Sequence, residues 1–112
     1  MTRVIESKNV KLIVYVPITH ADAVRDAMGD AGAGVIGNYS HCSFSVRGQG
    51  RFMPLDGANP HIGVVGQAEI VDEDRIEMAV GVDVLPAVIA AMKEAHPYDE
   101  IAYDLYPLCE II

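Results

Sequence analysis

Ala95-His96-Pro97-Tyr98-Asp99-Glu100-Ile101-Ala102-Tyr103-Asp104 joins the end of a helix to the start of a strand. Proline has no N–H to donate and its ring collides with the preceding turn, so a helix cannot pass through Pro97. The residue before a proline is driven toward extended geometry, which places the helix end near His96. Beyond it Ile101, Tyr103 and Leu105 alternate with Ala102, Asp104 and Tyr106, the two-residue period of a strand that closes near Leu108. Upstream, Leu85, Val88, Ile89 and Met92 form the apolar stripe of that helix, with Lys93 and Glu94 in water. Pro86 suits its first turn and Asp83 suits its N-cap.

Working outward, Ile76, Met78 and Val80 alternate with Arg75, Glu77 and Ala79 as a strand. Gly66 to Val71 reads as another short strand, with Asp72-Glu73-Asp74 as an acidic turn. The two pieces are either one long bent strand or a hairpin. Nearer the N-terminus, Leu12, Val14 and Val16 share one face of a Val10–Val16 strand, with Lys11, Ile13 and Tyr15 opposite and Pro17 at its end. Thr19 fits an N-cap, with Asp22 three residues on as a weak capping box. Ala21, Val24, Met28 and Ala31 then recur at helical spacing until Gly32 and Gly34 stop the helix. A strand from about Tyr39 to Arg47 presents Cys42, Phe44 and Val46 to the core. Gly48 to Gly63 reads as a long loop, of a length that is usually functional or mobile.

The order strand, helix, strand, strand, helix, strand is that of an α+β, ferredoxin-like split β-α-β sandwich, an antiparallel sheet with two helices on one face. At 112 residues the chain, residues 1–112, is one domain with one core. The other sheet face carries Ile13, Tyr15, Ala79 and Tyr106, too apolar to stay wet, so self-association is expected.

A net charge of −8 with eight scattered basic residues opposes binding to nucleic acid or to anionic membranes. No apolar run approaches the ~20 residues that cross a bilayer, and the N-terminus lacks a secretory layout. The expected location is the cytoplasm, with Cys42 and Cys109 reduced.

No complete catalytic constellation is visible. Gly32-Ala33-Gly34-Val35-Ile36-Gly37 matches the dinucleotide fingerprint in letters, but a helix precedes it and a strand follows, the reverse of what pyrophosphate binding needs. The acidic clusters show no means of splitting two carboxylate pKa values. Ser40, Ser43 and Ser45 lack a nucleophile-elbow setting. Gly48-Gln49-Gly50 between Arg47 and Arg51 could form a backbone anion nest. His96 with Asp99 or Glu100 is the one acid–base pairing that an enzyme reading could use.

Five segments in order carry a family resemblance: Gly34-Val35-Ile36-Gly37-Asn38-Tyr39; Cys42-Ser43-Phe44; Gly48-x-Gly50-x-Phe52-x-Pro54-x-x-Gly57; Pro60-x-Ile62-Gly63; and His96-Pro97-Tyr98-Asp99-Glu100-x-Ala102-Tyr103-Asp104. They resemble the inserted domain of the YqfO-like dinuclear-metal proteins, also called GTP cyclohydrolase type 2 homologues or the interacting-factor-three family. That domain is similar to PII signalling proteins and to the CutA divalent-cation tolerance proteins. The resemblance implies a PII/CutA-like fold and a homotrimer. It also implies a stand-alone accessory domain, because the metal-bearing core of that family has no counterpart in these residues.

The resulting expectation is a non-catalytic binding or regulatory module that takes a small ligand or a protein partner at inter-subunit clefts. Its candidate ligand-binding residues are Arg47, Gly48, Gly50, Arg51, Phe52, Pro54, His96, Tyr98 and Glu100, with no cofactor. The alternative is a CutA-like protein holding a divalent metal ion on His41, His61, His96 and Cys42. A second alternative is a small hydrolase-like enzyme.

Overall fold

The computed structural model describes residues 1–112. Strand β1 (Val4–Pro17) leads through a single 3-10 turn, Ile18–His20, into helix α1 (Ala21–Asp30). Strands β2 (Phe44–Phe52) and β3 (Glu69–Gly81), helix α2 (Leu85–Ala95) and strand β4 (Tyr103–Ile111) follow. The strands form one antiparallel sheet in the order β2-β3-β1-β4. This is the expected α+β sandwich. Helix α2 stops at Ala95, and His96 is already extended at φ −81° and ψ 136°, as the proline after it requires.

The core lies between the sheet and the helices. Leu12, Val14 and Val16 of β1 meet Ile76, Met78 and Val80 of β3, Val24 and Met28 of α1, and Val88 and Met92 of α2. The alternation in β1 and β3 and the helical spacing in α1 and α2 put these apolar groups on facing surfaces. Helix α1 ends in a paired glycine motif. Gly32 takes φ +113°, its N–H donates to Gly29 O at 3.1 Å, and the Ala33 N–H donates to Met28 O at 3.0 Å. Those are the two bonds of a Schellman cap.

Several local expectations change. Neither helix carries a side-chain N-cap. His20 precedes α1 and Val84 precedes α2, while the Thr19 hydroxyl bonds Nδ1 of His20 at 2.8 Å. The 3-10 turn moves the start of the α-helix one residue on, to Ala21, carrying Thr19 out of the capping position. Strand β1 begins six residues earlier than Val10, because Val4 to Glu6 find partners in Ile111 to Cys109 of β4 past a register shift. The acidic run Asp72-Glu73-Asp74 is no turn; it sits inside the continuous strand β3, where each residue has a partner on β2.

Strand β2 starts at Phe44 and runs through Phe52, so Gly48 to Phe52 belong to the sheet. Their register is Gly48↔Glu73, Gln49↔Asp72 and Gly50↔Val71. Extended, ladder-bonded backbone cannot curl into an anion nest, so Gly48-Gln49-Gly50 does not form one. The faces of β2 are also reversed. Ser45 and Arg47 lie opposite Ile76 and Asp74, on the helix side. Phe44 and Val46 lie opposite Glu77 and Arg75 on the uncovered side and are 66% and 49% exposed. Cys42 lies before the strand, only half-buried.

The sheet is staggered. The last β1–β3 pair is Pro17↔Glu73, yet β2 and β3 continue together to Phe52↔Glu69 as a two-stranded ribbon. Val4 to Glu6 and Cys109 to Ile111 form a second ribbon. The molecule measures 56 × 26 × 24 Å. The connection from Met53 onward folds back along the β2–β3 ribbon.

Candidate functional site

The His96–Glu100 corner is the anchor of this region. His96 is 6% exposed. Its Nε2 lies 2.7 Å from Tyr15 O, and a carbonyl can only accept, so Nε2 carries the proton. Nδ1 then accepts the Tyr98 N–H at 3.2 Å. Both ring nitrogens are occupied in the neutral form, with no lone pair free for a proton or a metal. Burial lowers the imidazole's affinity for a proton below its ordinary value, the bond to Tyr15 works against this, and the nearby His20 and His61 rings reinforce it.

Two residues on, the Tyr98 hydroxyl donates to Glu73 Oε2 at 3.0 Å. Glu73 is 9% exposed on the uncovered sheet face. Its carboxylate lies over the backbone of Gly50, where any β-carbon would strike it. Gly50 is therefore needed for close approach. Burial and the bond to Glu73 raise the Tyr98 pKa well above that of a free phenol, so the hydroxyl keeps its proton. Asp99 completes the corner by accepting the Asn59 N–H at 3.0 Å.

That last bond fastens the connection between β2 and β3 to the corner. The same connection is closed on itself by the Gly66 N–H donating to Pro54 O at 2.8 Å. His61 sets its ring edge-on to His20, centroids 5.4 Å apart, and lies 6.4 Å from Tyr98. Phe52 lies 6.1 Å from Tyr98. The result is a half-open groove of about 1110 Å³, large enough for a small organic ligand. Phe52, Met53, Pro54, Leu55 and Tyr98 supply apolar wall; Arg51, Glu73, Arg75 and Glu100 supply charge.

Of the residues expected to bind ligand, Gly48, Gly50, Arg51, Phe52, Pro54, Tyr98 and Glu100 line this groove. Arg47 and His96 do not. Arg47 points to the helix side and makes a two-pronged contact with Asp74, 3.0 and 3.5 Å. Asp74, 7% exposed, also has Arg25 at 3.8 Å. His96 stands behind the wall and supports it.

The alternative metal donors are not brought together. His41 is at the far end of α1, with Nε2 2.9 Å from Asp30 Oδ1 and Nδ1 2.9 Å from Ser40 Oγ. Cys42 follows it, its N–H donating to Gly34 O. His61 and His96 are at the corner, and His96 has no free nitrogen. Within one chain, no three His, Cys, Asp or Glu side chains converge on one point.

Sequence reasoning missed Tyr15, Asn59, Glu73 and Arg75. Tyr15 and Arg75 face each other in the register. Arg75 Nε is buried and has no hydrogen-bond partner; the Glu77 carboxylate is 3.9 Å away. A buried donor left unpaired costs about 1–3 kcal/mol. The missed signal was the alternation Glu73, Arg75, Glu77, which is a strand face written in charged residues.

No protein-family model matches the chain. The Bacillus subtilis protein named GTP cyclohydrolase 1 type 2 homolog is 56% identical over 98 residues, 88% of this chain and 26% of that protein. The structure of a Bacillus cereus protein related to NIF3 superposes with a TM-score of 0.78 at 51% identity, over 95% of this chain and 26% of that one. This chain is homologous to one segment of the GTP cyclohydrolase 1 type 2 homologs. It spans about a quarter of the length of those relatives. At the level of fold alone, it is similar to the periplasmic divalent cation tolerance protein CutA from Archaeoglobus fulgidus, TM-score 0.65 at 13% identity over 89% of this chain and 83% of that one. It is also similar to Bacillus subtilis GlnK, TM-score 0.52 at 15% identity over 89% and 84%. The PII/CutA-like fold expected from the five motifs is thereby established. No helix is long and apolar enough to cross a membrane.

Proposed function

We propose that this chain is a ligand-binding module whose working part is the groove between the β2–β3 connection and the His96–Glu100 corner, and that it works as a homo-oligomer. The observation that carries the reading is the fastening of the connection to the corner through Asn59 and Asp99, which holds a large groove half open over a sheet face. Catalysis is the poorer reading. His96, the acid–base candidate, has both nitrogens committed to the backbone, and the Tyr98 proton is held by Glu73. A general acid or base needs a free lone pair or a labile proton aimed at substrate.

Self-association rests on Phe44 and Val46, exposed on the sheet face away from the helices, where an apolar patch is a place for a second body. The family resemblance makes the homotrimer the stoichiometry to test. A screen of small organic molecules by two-dimensional NMR should perturb the amides of Phe52, Tyr98 and Glu100 before those of the α1–α2 surface. Hits that map only to the helices would refute the groove reading. Light scattering should return a multiple of the 12.1 kDa chain mass, and a stable monomer at micromolar concentration would refute the oligomer.

A further inference from the structure

We propose that the groove selects amphipathic monocarboxylates, with Arg75 as the residue that holds the carboxylate; this rests on the groove being the binding site. Two other arginines beside the sheet are committed, whereas Arg51, exposed on β2, shares the groove wall with Arg75. Arg47 is spent on Asp74, and Arg25 is divided among Asp22, Ser45 and Asp74. Arg75 is different. It lines the groove, sits between Tyr15 and Val46 in the sheet register, and its buried Nε lacks an acceptor. Of the two carboxylates that flank it on its own strand face, Glu73 is engaged by the Tyr98 hydroxyl, and Glu77 forms an ion pair with Nε at 3.9 Å without a hydrogen bond. A planar guanidinium matches the two oxygens of a carboxylate.

The surroundings restrict the rest of the ligand. The groove that Arg75 lines also has apolar and aromatic wall, with Phe52 and Tyr98 tilted against one another, so the body of the ligand is apolar and favours a flat ring. Asp56, Asp99 and Glu100 edge the same groove in a chain of net charge −8. Those charges repel a polyanion such as a nucleotide or a phosphate ester, whereas a single carboxylate needs only one arginine.

The test compares 3-phenylpropanoate with its uncharged amide by NMR titration and calorimetry on the unmodified protein, with the neutral dye N-phenyl-1-naphthylamine as a probe of the groove itself. The acid should bind at least about tenfold more tightly than the amide, and Arg75→Gln should remove that difference while Arg75→Lys retains part of it. The comparison of acid with amide needs no variant, so it decides even where Arg75→Gln fails to fold. Equal affinities for acid and amide would overturn the selectivity while leaving groove binding in place. Absence of binding by all three compounds would overturn both. A drop in oligomer mass in Arg75→Gln, with no preference for the acid, would assign the acceptor to a second copy of the chain and overturn the ligand.

Discussion

At the scale of residues, His96 is a strut. Its neutral ring ties the helix end to β1 through Tyr15 O and supports the turn at Tyr98. The unfolded chain titrates this group near 6.5, and the folded chain at a lower pH. Above the unfolded value neither state is charged and the full stability is present. As pH falls below that value the unfolded state takes up the proton first, so stability declines until the folded value is passed. Melting temperature should therefore fall between about pH 7 and about pH 5, with a shallower slope in His96→Gln; identical slopes would show that other groups are responsible. Tyr98→Phe leaves the Glu73 carboxylate short of a donor and should destabilise by about 1–3 kcal/mol in urea unfolding. Gly50→Ala should cost a similar amount, about 1–3 kcal/mol, because the new methyl group displaces that carboxylate. An additive double variant, Gly50→Ala with Tyr98→Phe, would argue against the shared contact.

At the scale of elements, the connection from Met53 to Gln67 has no helix or strand, and its order depends on contacts with the corner. Asp99→Ala removes the acceptor of the Asn59 N–H. Hydrogen exchange should then speed up across residues 58–63 while the β1–β3 ladder keeps its protection. Unchanged exchange in that segment would mean that the His61 and Phe52 ring contacts suffice to hold it. Strand β3 is the element that sequence reading misjudged most. Its Asp72-Glu73-Asp74 run is polar on both faces, for two separate reasons: Asp74 is received by Arg25 and Arg47 on the helix side, and Glu73 by Tyr98 on the other. A periodicity argument recognises a strand by apolar alternation and stops where charges begin. Here the charges are paired between residues far apart in the chain, Arg47 with Asp74 and Arg25 with Asp74, a relation that does not register in local spacing.

At the scale of the whole molecule, the uncovered face is unevenly dressed. Ile13 is fully buried there without belonging to the helix-side core, whereas Phe44 and Val46 stand open. Phe44→Asp should reduce the assembled species toward the 12.1 kDa chain in sedimentation velocity, leaving far-ultraviolet circular dichroism intact; an unaltered sedimentation coefficient would place the contact elsewhere. The element order, the helix stop at His96-Pro97, the stripes of α1 and α2 and the family likeness were all legible in the amino-acid sequence, because each depends on backbone chemistry or on periodicity within a few residues. The facing of β2, the continuity of β3 and the roles of Glu73, Arg75 and Asn59 were decided only by tertiary structure. Strand register is set between segments far apart in the chain, and a shift of one residue exchanges every side chain between the two faces. The groove follows from that register, since it puts Gly50 beneath Glu73, Glu73 beside Tyr98 and Arg75 at the groove with an unmet donor.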